Sequence, residues 1–532
     1  MHSQMMDFQL TLTPLVRRAE EVFATREMVS RLPDKSLHRQ SYAAFSERVR
    51  RLASALTKLG LKPGDRVATL CWNHYAHLEA YFAIPCAGGV IHTLNLRLAP
   101  DDIAYIANHA EDRFLIVDDC LLPLAAKFRD QVKFDRVIVV PLGGSAVTGD
   151  INYETMLAEG DPDFVWPTLS ENDALGMCYT SGTTGQPKGV VYSHRSTILH
   201  SFAVTNVDGL ALSGRDTVLP VVPQFHVNAW GVPFAGVMSG AKFVFPGPHL
   251  DAVSLLDLME KESVTVALGV PSIWLGIGEA LNAEPKRWKL HPKLRMVVGG
   301  SAVPESLMRT FDKHGITILH AWGMTETSPL GTVAHVVPEL ANASEDDIYR
   351  ARLAQGIPNP FVEIRAVGEN GEAPRDGKTP GELEVRGPWV AASYFKPGPE
   401  QQERWTKDGW FRTGDVATID ERGYMRITDR TKDLIKSGGE WISSVELENA
   451  LMGHPAVREA AVIAIPHPKW MERPLAVIVR RSAVSEDELR AHLAAKFAKY
   501  WVPDRFEFVE AIPKNGAGKF LKSTLRETYS KT

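Results

Sequence analysis

The sequence is poor in cysteine: Cys71, Cys86, Cys120 and Cys178 are the only four among 532 residues. None forms a CxxC pair. Neither a disulfide framework nor a structural zinc site is indicated, and reduced thiols in a cytoplasmic protein are expected. An excess of one charge is also missing. Lys plus Arg come to 59 and Asp plus Glu to 64, a net charge of −5, which lacks the basic excess of a nucleic-acid binder. Long apolar runs are absent as well. The most apolar long stretch, Val227 to Phe245, is broken by Asn228, Lys242 and several glycines, and reads as buried core or pocket, with no membrane span expected. The first residues, MHSQMMDFQLTLTPLVRR, have no basic region leading into an apolar one, so no signal peptide is expected.

What remains is ordinary globular material. With 44% hydrophobic and 23% charged residues the chain can bury several cores, and its length suggests about three or four folding units. From Tyr42, apolar residues recur at Phe45, Val49, Leu52 and Leu56, one face of a helix that Gly60 stops. Lys62-Pro63-Gly64-Asp65 turns into the strand-like Arg66 to Leu70; a helix through His77 to Phe82 and a strand through Phe114 to Val117 follow. This alternation predicts an α/β fold, helices packed on mostly parallel sheets. From about 355 to 428, short strands between glycine turns, Gly381 to Gly387 and Gly423 to Ile427, predict a β-rich subdomain. Beyond Asp429-Arg430-Thr431-Lys432-Asp433 come a helix at Val445 to Met452, strands at Ala460 to Ile465 and Leu475 to Val479, a helix opened by the capping box Ser485-x-x-Glu488, and a strand at Phe506 to Val509. That is a compact α+β unit of domain size, with the boundary expected at 430 to 433.

The most informative stretch is Tyr179-Thr180-Ser181-Gly182-Thr183-Thr184-Gly185-Gln186-Pro187-Lys188-Gly189. Its glycines let the backbone approach a ligand, while hydroxyls, amides and one lysine offer donors to phosphate oxygens. A P-loop ends in Gly-Lys-Ser/Thr; here proline precedes the lysine and glycine follows it, so that reading fails on residue identity.

This stretch resembles the signature of the adenylate-forming superfamily, which includes acyl-CoA synthetases, adenylation domains and firefly-type luciferase. The resemblance covers nearly the whole chain, because further motifs follow in the family's order: Trp322-Gly323-Met324-Thr325-Glu326, Tyr394 and its surroundings, Trp410 to Asp415, Asp429 to Asp433, and Pro513-Lys514-x-x-x-Gly518-Lys519. Phe225-His226-Val227-Asn228-Ala229-Trp230 and Lys436-Ser437-Gly438-Gly439-Glu440-Trp441 are most similar to bacterial fatty-acyl-CoA synthetases. The resemblance implies a large N-terminal domain (1–430), a hinge (429–433) and a small mobile C-terminal domain (434–532). It also implies a two-step reaction: a carboxylate attacks the α-phosphorus of ATP to give an acyl-adenylate and pyrophosphate, and the thiol of coenzyme A then displaces AMP. Such chemistry asks chiefly for positioning and charge neutralisation.

By the same resemblance, the phosphate loop with Lys188 holds the β- and γ-phosphates, and Thr180 and Glu326 lie near Mg2+, a hard ion suited to oxygen ligands. Trp322 takes the place of an aromatic ring, usually tyrosine, that stacks on adenine. It keeps the flat face and loses the phenol, so stacking survives and any hydroxyl contact does not. His320-Ala321 replaces a more usual Gln-Gly pair before it. Gly299, Gly300, Ser301 and Ala302 supply a backbone wall, with Gly323, Met324 and Thr325 alongside the adenylate. Asp415 accepts both ribose hydroxyls with help from Arg430. Lys519 bridges the attacking carboxylate and the α-phosphate. Lys432 matches the hinge, and after rotation Lys436 with the Gly438, Gly439, Glu440 and Trp441 loop replaces Lys519 and forms the pantetheine channel. His226 and Trp230 resemble an aromatic gate to an acyl tunnel.

An apolar wall at Phe225, Val227, Val232, Phe234 and Val298 suits an alkyl chain, at roughly 0.8 kcal/mol per methylene. A medium- to long-chain fatty acid is the expected substrate; a short thioether acid of the methylthiopropionate kind or an aryl-alkyl acid suits the same wall. An enzyme that loads a separate carrier protein and a non-catalytic nucleotide binder stay open at this point, as does luciferase chemistry. Lys519 and Lys436, with Glu326 and Asp415, argue for retained catalysis. The resemblance also implies a homodimer.

Overall fold

The computed structural model describes residues 3–143, 150–180, 186–437, 440–514 and 519–529. Ser181 to Gly185, Gly438, Gly439 and Gly518 lie outside the described residues.

Two large sheets build the first part of the chain. A seven-stranded sheet runs, in spatial order, Ile151–Asn152, Arg136–Val140, Asp112–Asp118, Arg66–Leu70, Val90–Thr93, Ala174–Tyr179 and Gly189–Ser193. All its pairs are parallel except the last. A nine-stranded sheet is parallel through Thr317–Gly323, Arg295–Val298, Val266–Gly269, Thr217–Pro220, Lys242–Phe245 and Glu27–Arg31, with antiparallel strands at both edges. The alternation of helix and strand legible in the sequence is thus realised as helix-covered parallel sheets.

The helix Tyr75–Cys86 shows why the sheets stay together. Every residue in it is buried, and it touches strands of both sheets. A helix apolar all round belongs inside a core; its one carboxylate, Glu79, is fully buried and held by Arg48 Nε at 2.7 Å and the Tyr153 hydroxyl at 2.7 Å. The helix Tyr42–Lys58 packs beside it, opened by the Ser41 side chain, which accepts from the Ala44 amide.

The β-rich segment is a five-stranded antiparallel sheet, in the order Gly371–Glu372, Glu363–Gly368, Gly381–Arg386, Phe411–Ile419 and Met425–Arg430. The next sheet begins at Ile435–Ser437 and adds Glu440–Ile442, Val457–His467, Met471–Arg480 and Arg505–Phe508. Helices Ser444–Met452 and Glu486–Ala494 cover it over a core of their own, including Leu447, Leu451, Leu489 and Phe506. Ser485 and Glu488 form the capping box that the sequence predicts. No described helix is long and apolar enough to cross a membrane.

Candidate active site

The parallel strands of the nine-stranded sheet end at a cleft of about 810 Å³, walled on the other side by the antiparallel sheet and closed by the C-terminal part of the chain. Crevices at the carboxyl ends of parallel strands are the usual ligand sites of such sheets.

At one end the strands Ala174–Tyr179 and Gly189–Ser193 form a hairpin, and its base is closed by Thr180 N donating to Lys188 O at 2.9 Å. Thr180 and Lys188 both line the cleft. Burial holds the Lys188 ammonium below its ordinary pKa, with Arg404 adding to the effect, and its Nζ lies 5.2 Å from the centre of the Tyr394 ring.

Glu326 sits in a 3-10 turn, Thr325–Thr327, just past the strand Thr317–Gly323. The Tyr394 hydroxyl donates to Glu326 Oε1 at 2.6 Å and the Ala391 amide donates to the Glu326 carbonyl at 2.7 Å. Burial and the Glu326 charge together push the Tyr394 phenol well up, so it stays a donor at neutral pH. Trp405 packs edge-on to Tyr394 at 5.1 Å and fixes that loop through its indole N–H on the Ala391 carbonyl. The carboxylate and hydroxyl oxygens of Glu326 and Thr180 are a hard donor set that fits a magnesium ion.

Asp415 and Arg430 are directly opposite in adjacent antiparallel strands, and Arg430 Nε stands 3.2 Å from Asp415 Oδ1. The other oxygen, Oδ2, accepts from the indole N–H of Trp322 at 3.1 Å. Trp322 has no hydroxyl to offer, but its indole nitrogen supplies a polar contact of its own. His320 lines the same wall, but its buried ring pairs Nδ1 with the Leu353 carbonyl at 3.2 Å, and burial drops its pKa to about 4. Ala321, Gly323, Met324 and Thr325 complete that wall.

The loop after Arg295–Val298 contributes Gly299, Gly300, Ser301 and Ala302. Gly300 has φ +87°, a conformation that favours glycine, and a side chain there would meet Lys519 Cε at 3.5 Å. Lys519 thus reaches the cleft from the C-terminal part of the chain. Burial, with Arg430 in support, lowers its pKa to about 8 against the pull of Asp415 and Glu326. Lys432 also lines the cleft, held below its ordinary pKa by burial.

At the other end, His226 and Trp230 line the cleft beside Pro271, Ser272 and Leu275. Burial, then the charges of Lys519 and Arg97, bring His226 down to about 4, so it is neutral at physiological pH. Trp230 is 8% exposed, and a Cβ on Gly299 would come within 3.3 Å of its ring. The turn that carries it is left-handed: φ is 39, 57, 45, 59 and 76° at Val227, Asn228, Ala229, Trp230 and Gly231. Such a turn is unfavourable for L-residues, and buried bonds hold it, the Tyr81 hydroxyl reaching both the Gln224 carbonyl at 2.6 Å and Asn228 Oδ1 at 3.1 Å.

Three site residues from the sequence reading stand apart. Lys436 Nζ lies 5.2 Å from the centre of the Trp441 ring, and Lys436, Glu440 and Trp441 are outside the cleft lining, Trp441 being 52% exposed. Arg404, which also lines the cleft, was missed; it belongs to no motif, and only its fold neighbours Lys188 and Gly414 reveal it.

Residues 16–395 match the family described as AMP-binding enzyme, and residues 446–519 match the AMP-binding enzyme C-terminal domain. The chain is 50% identical over 531 residues to a long-chain-fatty-acid–CoA ligase of Thermus thermophilus, covering 99% of this chain and 97% of that one. It is 47% identical over 538 residues to a 3-methylmercaptopropionyl-CoA ligase of Ruegeria lacuscaerulensis, covering 99% of both. Among solved structures, that of the anthranilate CoA ligase AuaEII in complex with anthranoyl-AMP superposes with a TM-score of 0.88 at 25% identity, covering 99% of each chain.

Proposed function

The chain belongs to the AMP-binding enzyme family, and from that premise we propose how its residues divide the work of an AMP-forming acid–thiol ligase. The enzyme is an ATP-dependent acyl-CoA synthetase. Its acid is a medium- to long-chain fatty acid, accommodated along an apolar wall at Val227, Trp230, Leu275 and Val297; of the wall expected from the sequence only Val227 lines the cleft, Phe225, Val232, Phe234 and Val298 being buried outside its lining.

The observation that carries the reading is the convergence of Lys519, Glu326, Asp415 and Lys188 on one cleft, although they come from distant parts of the sequence. Lys188 neutralises the β- and γ-phosphates; Asp415 holds the ribose; Lys519 draws the carboxylate onto the α-phosphate. These are preorganised charges, the largest usual contribution to such chemistry. Thr180 and Glu326 would hold Mg2+, which when bound neutralises phosphate charge. His226 and Trp230 form the gate to the acyl chamber.

The chain divides into bodies 1–430 and 434–532 about a hinge at 429–433, with 355–428 a subdomain of the first. Support comes from the antiparallel sheet ending at Arg430 and a new sheet beginning at Ile435. With Lys519 in the cleft and Lys436 outside it, the structure suits adenylation; rotation then brings Lys436 and the loop 437–441 to coenzyme A. Further parts of this reading are a homodimer and a cytoplasmic location, the latter supported by cysteines that are all unpaired.

A second acid is favoured by one finding, the 47% identity to a 3-methylmercaptopropionyl-CoA ligase. The deciding experiment supplies purified enzyme with Mg2+, ATP and coenzyme A and offers acids from acetate to palmitate, arylpropionates and methylthiopropionate. Carboxylate-dependent pyrophosphate release and thioester on free coenzyme A are expected, greatest with medium or long alkanoates. A maximum at methylthiopropionate replaces the fatty acid as substrate; no acyl-adenylate with any acid overturns the assignment.

A further inference from the structure

The indole of Trp322 is held at two edges. On the benzo side it lies against Gly331, where a Cβ would come within 2.5 Å of Cζ3. On the pyrrole side Nε1 donates to Asp415 Oδ2 at 3.1 Å. Trp322 is 6% exposed and Asp415 3%, so this bond forms where water does not compete for either partner. The opposite oxygen, Oδ1, is met by Arg430 Nε at 3.2 Å, and the Asp415 amide is tied to the Thr413 hydroxyl at 3.1 Å. Among the described residues, the Trp322 indole donates to Oδ2 and the Arg430 guanidinium pairs with Oδ1. A carboxylate offers about four lone-pair sites, so acceptor capacity remains on both oxygens for a ligand, and these two protein contacts set the plane of the group.

Two acceptor sites fixed side by side fit a vicinal diol. We propose that Trp322 is a positioning residue for ribose recognition: its indole N–H, acting with Arg430, orients the Asp415 carboxylate so that both nucleotide hydroxyls are read together, and the enzyme's preference for ribonucleotides over deoxyribonucleotides depends on it. A tryptophan in this place then does more than cover a base. Phenylalanine would keep the flat face and lose the donor. The inference rests on the ribose role proposed for Asp415.

The test is binding of AMP and 2′-deoxy-AMP to the full chain by titration calorimetry, for wild type, Trp322→Phe and Asp415→Ala. A variant carrying 3-benzothienylalanine at position 322, which swaps the N–H for sulfur at nearly constant shape, guards against misfolding of Trp322→Phe. Wild type is expected to bind AMP more tightly, and Asp415→Ala to lose most of that preference. Both variants at 322 are expected to cut the preference about tenfold, the scale of one hydrogen bond to a charged group. A purely stacking tryptophan would weaken both nucleotides equally and leave the preference at its wild-type value; with Asp415→Ala still losing it, that result overturns the role of Trp322 alone. An unchanged preference in Asp415→Ala removes the ribose assignment, and this inference with it.

Discussion

The phenol of Tyr394 donates to the Glu326 carboxylate at 2.6 Å, linking two motifs that lie far apart in the sequence. One carboxylate oxygen is thereby held in place at the end of the cleft proposed to bind the phosphates. Tyr394→Phe keeps the ring against Trp405 and frees that oxygen. The expected result is about a tenfold higher Mg2+ requirement for pyrophosphate release, the scale of losing a hydrogen bond to a charged group, with little change in thioester formation from supplied acyl-adenylate. Rates measured over a magnesium titration check it; an unchanged midpoint means that Tyr394 does not position Glu326.

Lys519→Ala should slow adenylate formation by about 3 kcal/mol, the scale of one preorganised charge donor, and should affect thioester formation from supplied acyl-adenylate far less. Equal loss in both half-reactions would count against the assignment.

Lys519 also sets a pH limb. Its pKa is lowered to about 8, so the ammonium is charged below that pH and neutral above it. Because the cation is the working form, kcat/KM for adenylation should fall as pH rises through about 8, a free-enzyme pKa. Lys519→Arg, which stays charged, should lack this limb whatever its absolute rate. The same limb in both proteins would assign it to another group.

The segment after the antiparallel sheet is a tight turn, with the amides of Asp433 and Leu434 both donating to the Arg430 carbonyl. Proline at 432 fixes φ where the proposed hinge would change it. Lys432→Pro is expected to spare adenylation more than thioester formation, as single-turnover assays of each step would reveal. Wild-type rates in both would move the hinge elsewhere.

Asn228→Ala removes the side-chain acceptor that ties the left-handed turn to Tyr81. A loss of about 0.5–1.5 kcal/mol in stability is expected from the lost hydrogen bond, because the hydroxyl keeps the Gln224 carbonyl, measured by urea denaturation. Because Trp230 rides on this turn, its acyl-chain profile should shift in the same direction as that of Trp230→Ala. Opposite shifts would separate the turn from the gate.

Much of this was legible in the sequence. The helix Tyr42–Lys58 and the strand Arg66–Leu70 follow from periodicity and turn chemistry, which act over a few residues. The clustering of Lys188, Glu326, Asp415 and Lys519 came through motif resemblance, because no local rule brings together residues hundreds of positions apart. Arg404 escaped notice because a surface-type arginine carries no pattern; only the fold puts it near Lys188. The Trp322–Asp415 bond was invisible for a related reason. Sequence gives the ring, whereas the direction of its N–H depends on Gly331 behind it. The handedness of the turn at Val227 to Gly231 is likewise set by tertiary bonds, against local preference.

Across the seam between the C-terminal part and the large body, Arg481 Nη2 stands 3.5 Å from Glu279 Oε1, with both side chains nearly half exposed. A pair so open to solvent stabilises its arrangement by only about 0–1 kcal/mol, less than one decade in an equilibrium constant, and dissolved salt weakens it further. On the proposed rotation about 429–433, this pair is a soft clasp, and its hold on the arrangement slackens as ionic strength rises.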